Sequence, residues 1–437
     1  MLSTGAAPNR PPFMEQAAAN VFQLWTLDDM DATLAYIRAA EPKRAIVVGG
    51  GFVGLEVVEQ LHRLGMQVTL VERNPQVLMP LDPELAKLVR LEMEQHGIEV
   101  RLGRSIAKLE LSGTAANVAV LDDGSRLGCE LVMVGAGVSP RIELAKASGL
   151  VIGPAGGVQV NEFMQTSDPN VYAVGDMTEV PHRLLGKTQR IPLAGPANRA
   201  GRIAGSHAAS GNSSSFGPVL GTAVVRVFGL TAACTGLSEK ACRAHGIEAR
   251  TAVIQAPDHA SYFPGAKEIT LKLVYSPQTR KVLGAQGIGG AGVDKRIDVI
   301  ATALHFGGSV DDLAQLDLAY APPFGSAKDP VHMVAFTAQN DLDGEPSLKP
   351  TFDSLEGYQV VDVRNQAEID KLPLAGAVHI PIDELAARIG ELDPNKPTVV
   401  VCHSGKRAHV GACRLRTSGF KDVQNLSGGM SIRRLAD

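Results

Sequence analysis

Three glycines near the start of the chain have the spacing of a phosphate-binding loop. Gly49, Gly51 and Gly54 form a G-x-G-x-x-G pattern directly after an apolar, β-branched run, Ala45–Val48. In such a loop the first glycine permits a tight turn and the second lets the backbone approach a pyrophosphate. The third lets the following helix pack closely on the strand. The pattern predicts a dinucleotide-binding βαβ unit, and a purely structural βαβ unit is the alternative.

An acidic residue ends the second strand of this unit. Glu72 follows the apolar run Gln67–Val71, close to the spacing of about 20 residues expected for a ribose-binding carboxylate. We expect it to accept hydrogen bonds from both ribose hydroxyls and to repel a 2′-phosphate, which favours NAD(H). Arg73 could pair with that phosphate, which weakens the preference. Gly137, just after the apolar strand Glu130–Gly135, is also expected to bind the cofactor.

A second reactive group lies near the end of the chain. The buried strand predicted at Thr398–Val401 runs directly into the loop CHSGKR, 402–407, and a helix follows. Such a loop curls backbone N–H groups around sulfur at a positive helix end, which favours a thiolate and can hold a persulfide. Lys406 and Arg407 add positive charge that suits thiosulfate or a persulfide. Cys402 is expected to accept a sulfane sulfur that a second thiol then removes; an inert, half-buried cysteine is the alternative.

Two middle segments could contact a sugar or an electron-rich ring. Asp176 lies just past a predicted buried strand, Val171–Val174, where α/β sheets bind ligands, although an Asp after Gly is often only a turn residue. The segment Ile191–Ala209 predicts a loop that enters a helix of small residues. Amide groups near Leu193 and Ala194 would form its positive end, suited to an electron-rich ring or an anion. Close helix packing would also explain the small residues.

Composition limits the classes of function. A chain of 437 residues is long enough for several domains, and 45% hydrophobic with 20% charged residues is typical of a globular protein with ample core. The net charge of −4 gives no electrostatic reason to expect nucleic acid or an anionic membrane as a partner. Five scattered cysteines without metal-ligand spacing favour reduced thiols in a cytoplasm and no metal site.

Hydrophobic periodicity and turn residues predict the elements that position these residues. The expected helices are Asp28–Ala40 with Asp28 or Asp29 as its cap, a helix from Leu55 that stops at Gly65, Asp82–His96, Ala291–Phe306 and Val310–Leu316. The expected strands of an antiparallel module are Thr222–Phe228, Ala249–Gln255, Glu268–Tyr275 and Val282–Gly287. A polar linker, Asp341–Pro350, is expected before the last α/β unit, whose further strands are Tyr358–Val361 and Ala377–Ile380.

Together these segments resemble the pyridine nucleotide-disulfide oxidoreductases. The branch they resemble comprises coenzyme A disulfide reductases and NADH-dependent persulfide reductases with a C-terminal rhodanese domain. TSDPNVYAVGD resembles the family's second flavin signature, which implies that Asp176 binds the ribityl chain of FAD. IPLAGPANRAGR resembles the segment that lays a helix end, here Leu193 and Ala194, against the flavin ring. Tyr320 matches a tyrosine that reaches toward the disulfide centre of the partner subunit; an interface tyrosine packed among prolines is the alternative.

The resemblance implies an α/β fold in which a Rossmann-like NAD domain is inserted in a partial FAD domain. An α+β dimerisation domain and a C-terminal rhodanese α/β domain follow. The expected boundaries are 1–25 for the end of the first FAD segment, 26–147 for the NAD(H) domain, 148–215 for the second FAD segment, 216–338 for the dimerisation domain and 346–437 for the rhodanese domain.

The sequence also departs from this family. The family begins with a βαβ unit that has its own G-x-G-x-x-G for FAD and a redox-active cysteine, and the sequence given has neither. Its opening, MLSTGAAPNRPPF, resembles the strand and turn that end that unit, so we expect the sequence to begin inside the flavin domain. Asp362 and Arg364 are expected to brace the last domain. The cysteines expected to be structural are Cys129, Cys234, Cys242 and Cys413.

Three functions remain open from the sequence. The first is an FAD- and NAD(H)-linked reductase of coenzyme A disulfide or persulfide, coupled to rhodanese sulfur transfer and incomplete as the sequence stands. The second is a sulfurtransferase whose reductase part is only a scaffold. The third is an inactive remnant that at most dimerises. The expected partners are a second copy of the chain and small molecules, namely coenzyme A disulfide or persulfide and thiosulfate-like anions.

Overall fold

A computed structural model describes residues 1–436 and divides into two compact units. The first unit is Met1–Leu230 and the second begins at Thr231. Both units combine helices and strands, which confirms the predicted α/β class. Within the described residues, no helix has the length and apolarity needed to cross a membrane.

The first unit contains thirteen short strands and five helices. Its strands are β1 (Ala6–Pro8), β2 (Val21–Gln23), β3 (Arg44–Val48), β4 (Gln67–Glu72), β5 (Glu99–Leu102), β6 (Ile106–Ser112), β7 (Ala115–Leu121), β8 (Arg126–Gly128), β9 (Leu131–Val134), β10 (Val138–Pro140), β11 (Val180–Pro181), β12 (Thr188–Gln189) and β13 (Ala223–Val227). Its helices are α1 (Leu27–Ala40), α2 (Phe52–Arg63), α3 (Pro83–Gln95), α4 (Glu143–Ala147) and α5 (Ala194–Ser210).

A parallel five-stranded sheet forms the centre of this unit, in the order β2-β9-β3-β4-β5. Strand β3 lies in the middle, where both faces are covered, and this explains its continuous apolar run. Helix α2 buries Leu55, Val58 and Leu61 at helical spacing, and Gly65 takes a left-handed φ of 82° just after its end. The predicted βαβ unit is confirmed.

Two local predictions in the first unit are wrong. Helix α1 is capped by Thr26 and not by Asp28 or Asp29, because Asp29 instead completes a capping box with the Thr26 backbone N–H at 2.7 Å. Val171–Val174 is not a strand, since Tyr172 and Ala173 each form only one isolated bridge. The backbone of this run forms hydrogen bonds with Leu2 on one side and with Met164 and Thr166 on the other, but each pairing is too short to make a regular strand, which apolar composition alone does not reveal.

The second unit contains the remaining elements. Its strands are β14 (Leu230–Gly236), β15 (Arg250–Pro257), β16 (Glu268–Tyr275), β17 (Val282–Gly289), β18 (Ser347–Lys349), β19 (Gln359–Asp362), β20 (Val378–His379), β21 (Thr398–Val401) and β22 (Val423–Leu426). Its helices are α6 (Glu239–Ala244), α7 (Val293–His305), α8 (Val310–Ala314), α9 (Pro330–Leu342), α10 (Gln366–Lys371), α11 (Lys406–Thr417) and α12 (Gly429–Arg433).

Two sheets organise this unit. Strands β14, β17, β16 and β15 are antiparallel, and β15 lies at the sheet edge. The C-terminal sheet is parallel in the order β18-β22-β21-β19-β20. Parallel strands end at one edge of the sheet, so the C-terminal end of β21 places the 402–407 loop at that edge.

The predicted polar linker, Asp341–Pro350, is not a linker. Helix α9 extends to Leu342, and Asp341 is buried where it accepts a hydrogen bond from the Tyr275 hydroxyl at 2.8 Å. Strand β18 lies within the same range and pairs with β22. The polar residues of this range therefore include a buried, hydrogen-bonded side chain. Composition alone does not distinguish such a residue from those of an exposed linker.

Candidate cofactor and sulfur-transfer sites

The glycine loop has the close contacts that its spacing predicts. A Cβ on Gly54 would lie 1.8 Å from the Gly49 carbonyl oxygen, and a Cβ on Gly49 would lie 2.2 Å from the Gly135 carbonyl oxygen. Gly49 also has a φ of 109°, which side chains rarely adopt. By contrast, a Cβ on Gly51 would meet no atom within 4 Å. The first and third glycines are thus required by packing, whereas the second leaves space at the surface for a ligand.

Gly135 is a loop contact that sequence reasoning did not single out. Its N–H donates to the Val48 carbonyl at 2.7 Å, which carries the end of β9 against the glycine loop. The expected cofactor residue in this segment, Gly137, lies two residues on, in the turn before β10. There a Cβ would lie 3.4 Å from Nδ2 of Asn9. The role of Gly137 in cofactor binding stays a prediction.

The Glu72 carboxylate accepts more hydrogen bonds from the protein itself than expected. It is 7% exposed; its Oε2 accepts from the Gly50 N–H at 2.5 Å, and its Oε1 accepts from Asn74 N and Nδ2 at 2.7 and 2.6 Å. A carboxylate offers about four acceptor positions, so about one remains. The expectation that Glu72 accepts both ribose hydroxyls therefore needs correction, because this geometry leaves room for one. Arg73 is exposed beside it.

The position of Glu72 predicts a cofactor preference. We expect the chain to bind NADH more tightly than NADPH, because a 2′-phosphate would meet a buried carboxylate. Glu72→Ala should narrow the ratio of the two dissociation constants by about tenfold, measured by titration calorimetry. Glu99→Ala removes an exposed carboxylate from the neighbouring strand and should leave the ratio unchanged. Equal affinities in the parent chain would contradict this role.

Asp176 and the start of α5 come together as the sequence pattern requires. Asp176 lies in a 3₁₀ turn, Gly175–Met177, and a Cβ on Gly175 would lie 3.8 Å from the Ala197 side chain in the first turn of α5. Leu193 is the N-cap of α5 and has extended backbone without a side-chain cap, and Ala194 begins the helix. The free N–H groups of this first turn make a positive end beside Asp176.

The Asp176 carboxylate has no hydrogen-bond partner within residues 1–436. Burial raises its pKa above the ordinary value for an aspartate, because no neighbour compensates the lost hydration. An acceptor in this state fits a ligand that brings hydroxyl donors, as the ribityl chain of FAD does. The residues present therefore fit a flavin, with Asp176 for the sugar chain and the Leu193–Ala194 helix end for the ring.

Cys402 lies in the strand–loop–helix arrangement that the sequence predicts. The side chain is 1% exposed, and Sγ accepts a hydrogen bond from the Gly405 N–H at 3.1 Å. Gly405 caps α11 with a φ of 91°, so the chain turns left-handed between the cysteine and the helix. The N–H groups of His403 and Ser404 have no hydrogen-bond partner within the described residues. The loop thus offers unpaired donors beside a sulfur at a helix N-terminus.

Arg407 is not the free cation that the sequence suggested. Its guanidinium forms two hydrogen bonds with the Glu368 carboxylate, at 2.7 and 2.5 Å. This pairing lowers the pKa of Glu368 to about 2 and raises the pKa of Arg407. The charge of Arg407 is therefore compensated, while His403 and Lys406 are the exposed basic residues of the loop.

Asp362 and Arg364 form a buried ion pair at 2.6 Å under the same edge of the sheet. The Arg364 guanidinium also donates to the Glu368 carbonyl at 3.4 Å, so it connects β19 to α10. Both side chains are almost fully buried, which places them in the interior of the domain and agrees with the expected bracing role. Breaking such a pair leaves a buried charge unpaired, which is costly.

Tyr320 is paired with a residue that the sequence did not indicate. The hydroxyl oxygens of Tyr320 and Tyr262 are 3.1 Å apart, and this hydrogen bond raises the pKa of Tyr320. Tyr320 is 48% exposed and Tyr262 is 75% exposed, so both side chains lie at the surface of the chain, and the role of Tyr320 stays a prediction. No local pattern connects the two residues, which come from separate loops of the second unit.

Burial acts against reactivity in two of the other cysteines. Burial raises the pKa of Cys129 to about 11 and also raises that of Cys413. Cys242 is buried and Cys234 is half-buried. A raised pKa keeps a thiol protonated and unreactive.

Comparison with protein-family models divides the chain into three matches. Residues 1–201 match the pyridine nucleotide-disulphide oxidoreductase family, and residues 222–330 match the dimerisation domain of that family. Residues 352–431 match the rhodanese-like domain.

Individual relatives agree with these matches. An NAD(P)H sulfur oxidoreductase (CoA-dependent) of Pyrococcus abyssi is 35% identical over 77% of this chain and 74% of its own. The crystal structure of reduced CoADR-RHD of Bacillus anthracis is 39% identical, with a TM-score of 0.96 over 100% of this chain and 78% of that chain. An NAD-dependent persulfide reductase of A. fulgidus is 36% identical, with a TM-score of 0.92 over 98% and 79%.

Proposed function

Since this chain belongs to the pyridine nucleotide-disulphide oxidoreductase family and ends in a rhodanese-like domain, we propose that it couples two activities. One is the NAD(P)H-dependent reduction of coenzyme A disulfide or persulfide, and the other is sulfur transfer at Cys402. The observation that carries the second activity is the Gly405 N–H donated to Cys402 Sγ beside two unpaired loop N–H groups.

Sulfur transfer follows from the chemistry of this loop. The Cys402 thiolate attacks the outer sulfur of a sulfane donor, so a new S–S bond forms and the donor's S–S bond breaks. The leaving group departs as sulfite from thiosulfate or as a thiolate from a persulfide. The loop N–H groups hold the negative charge on the terminal sulfur of the Cys402 persulfide. An acceptor thiol then attacks that sulfur and restores the Cys402 thiolate.

The reductase part is proposed to use FAD and NAD(H). Glu72 and the loop from Gly49 to Gly54 would hold the pyridine nucleotide, while Asp176 and the Leu193–Ala194 helix end would hold the flavin. A bound flavin would supply electron transfer between the pyridine nucleotide and coenzyme A disulfide or persulfide. Tyr320, with its hydroxyl partner Tyr262, is proposed to face the disulfide centre of the partner subunit in a homodimer. A cytoplasmic location is part of the proposal, since five scattered cysteines without metal-ligand spacing favour reduced thiols.

Asp176→Asn tests the flavin assignment, because it should weaken flavin binding and at the same time stabilise the flavin-free chain. It should weaken flavin binding by about tenfold or more, measured by quenching of flavin fluorescence, because a hydrogen bond to a charged acceptor is lost. It should also raise the melting temperature of the flavin-free chain at neutral pH. The raised pKa means that ionised Asp176 destabilises the fold above its folded-state pKa, and this destabilisation disappears as the pH falls below the ordinary aspartate value.

Asp168→Asn serves as the matched control, since Asp168 is an exposed turn residue of the same segment. It should leave flavin affinity unchanged. An Asp176→Asn variant that binds flavin as tightly as the parent chain would refute the flavin role.

A second candidate function is a sulfurtransferase whose reductase part is only a scaffold. The cysteine environments favour it, because Cys402 alone among the five lies in a donor-lined loop at a helix N-terminus. Two assays on the purified chain, supplied with FAD, separate the candidates. NADH oxidation that depends on coenzyme A disulfide or persulfide supports the coupled function. Thiosulfate-to-cyanide sulfur transfer without such oxidation supports the scaffold.

A further inference from the structure

The peptide groups of the nucleophile loop are held from one side by the start of α12. The Met430 N–H donates to the Cys402 carbonyl at 2.8 Å, and the Ser431 N–H donates to the His403 carbonyl at 3.0 Å. A Cβ on Gly429 would lie 2.6 and 2.5 Å from the same two carbonyl oxygens, so α12 is in close contact with the loop.

These two hydrogen bonds also set the direction of the loop donors. In a trans peptide the C=O and the following N–H point in opposite directions. Holding the carbonyls of Cys402 and His403 therefore aims the N–H groups of His403 and Ser404 away from α12. Those are the N–H groups that have no partner within residues 1–436, and they are the donors available to an anionic sulfur.

The segment Ser427–Ser431 is in turn bound to the edge of the antiparallel sheet in the same unit. Val253 of β15 donates its N–H to Ser427 Oγ at 2.9 Å and accepts from the Gly428 N–H at 3.0 Å. The Ser431 hydroxyl donates to Gln255 Oε1 at 2.6 Å. All of these side chains are buried, and the contact satisfies backbone groups that an edge strand otherwise leaves unpaired.

We infer that Gln255 and Ser431 are positioning residues for sulfur transfer: they fix α12, and α12 aims the loop N–H groups at the sulfur on Cys402. The inference rests on the proposed sulfur transfer at Cys402 and adds to it a requirement for the antiparallel sheet. The C-terminal domain therefore does not set the geometry of its nucleophile loop alone, since Gln255 belongs to β15. Loss of the Ser431–Gln255 bond frees the first turn of α12, and the donors then lose their alignment.

The test uses the whole chain with thiosulfate as donor and cyanide as acceptor. Gln255→Ala and Ser431→Ala should each lower kcat about tenfold, since small misplacements of donors are costly at a reacting centre. The double variant should be no slower than Ser431→Ala, because both substitutions remove the Ser431–Gln255 hydrogen bond and Ser431→Ala also removes the contact of Oγ with the Gly428 carbonyl. Ser431→Thr keeps a hydroxyl and should restore most of kcat.

Gln359→Ala is the matched control for a merely structural effect. Gln359 is a half-buried glutamine at the opposite end of the parallel sheet, where it donates to Thr398 Oγ1 at 3.1 Å and accepts from the Asp393 N–H at 2.9 Å. It should lower the melting temperature by about as much as Gln255→Ala and leave kcat within about twofold.

An equal loss of kcat in the control, or multiplicative losses in the double variant, would overturn the inference. So would unchanged kcat in both Gln255→Ala and Ser431→Ala, provided that Cys402→Ser abolishes the activity. If Cys402→Ser retains the activity, the proposed function itself is refuted and the inference with it.

Discussion

Replacement of Cys402 by serine should lower thiosulfate sulfurtransferase activity by at least about a thousandfold. In the proposed transfer Sγ forms the new S–S bond, and a serine hydroxyl cannot form a persulfide. The fold should be retained, because serine is close to cysteine in size and its oxygen can accept the Gly405 N–H that Sγ accepts at 3.1 Å. The measurement is thiocyanate formation, with the melting temperature as the check on folding.

Cys413→Ser is the matched control for this prediction. Cys413 lies on α11 close to His409, with 3.7 Å between Sγ and Nε2, and burial raises its pKa. It should therefore keep most of the parent activity. Near-normal turnover in the Cys402 variant, or loss of turnover in the Cys413 variant alone, would show that the nucleophile is assigned wrongly.

Local patterns predict the parts of these sites that depend on neighbours in sequence. The spacing of the glycines predicts the loop, because Gly54 and Gly49 contact each other within a single short sequence pattern. The Cys402 loop follows from a β-branched strand that runs directly into a helix start. The strand–turn–helix order of both features depends on residues that are close in sequence, whereas the contacts of Gly49 with Gly135 and of the Cys402 loop with α12 do not.

The features that the sequence did not reveal depend on distant partners. The Glu72 carboxylate accepts from the Gly50 N–H, 22 residues away in sequence, in addition to two bonds from the nearby Asn74, so little of its accepting capacity remains for a ribose. Arg407 is compensated by Glu368 on another helix, and Tyr320 is bonded to Tyr262 on another loop. Such pairings connect residues that are far apart in sequence, and the hydrophobic periodicity of a segment does not predict them.

Gly54→Ala and Gly51→Ala should separate the packing role of the loop from its ligand role. A methyl at Gly54 would lie 1.8 Å from the Gly49 carbonyl oxygen, and that oxygen belongs to the backbone, so α2 must shift away from β3. Overpacking of this kind costs about 1–3 kcal/mol, which lowers the melting temperature. The same shift moves the first turn of α2, and NADH affinity should fall by about tenfold to a hundredfold.

Gly51→Ala should give the other pattern. Gly51 has an ordinary φ of −83°, and an added Cβ would meet no atom within 4 Å, so the melting temperature should not change. NADH affinity should still fall by about tenfold or more, because the methyl occupies the side from which a pyrophosphate approaches. Calorimetric titration with NADH and a thermal melt of each variant supply both readouts. A Gly51→Ala chain that binds NADH as well as the parent would mean that the loop is only a packing device, and the dinucleotide assignment would be wrong.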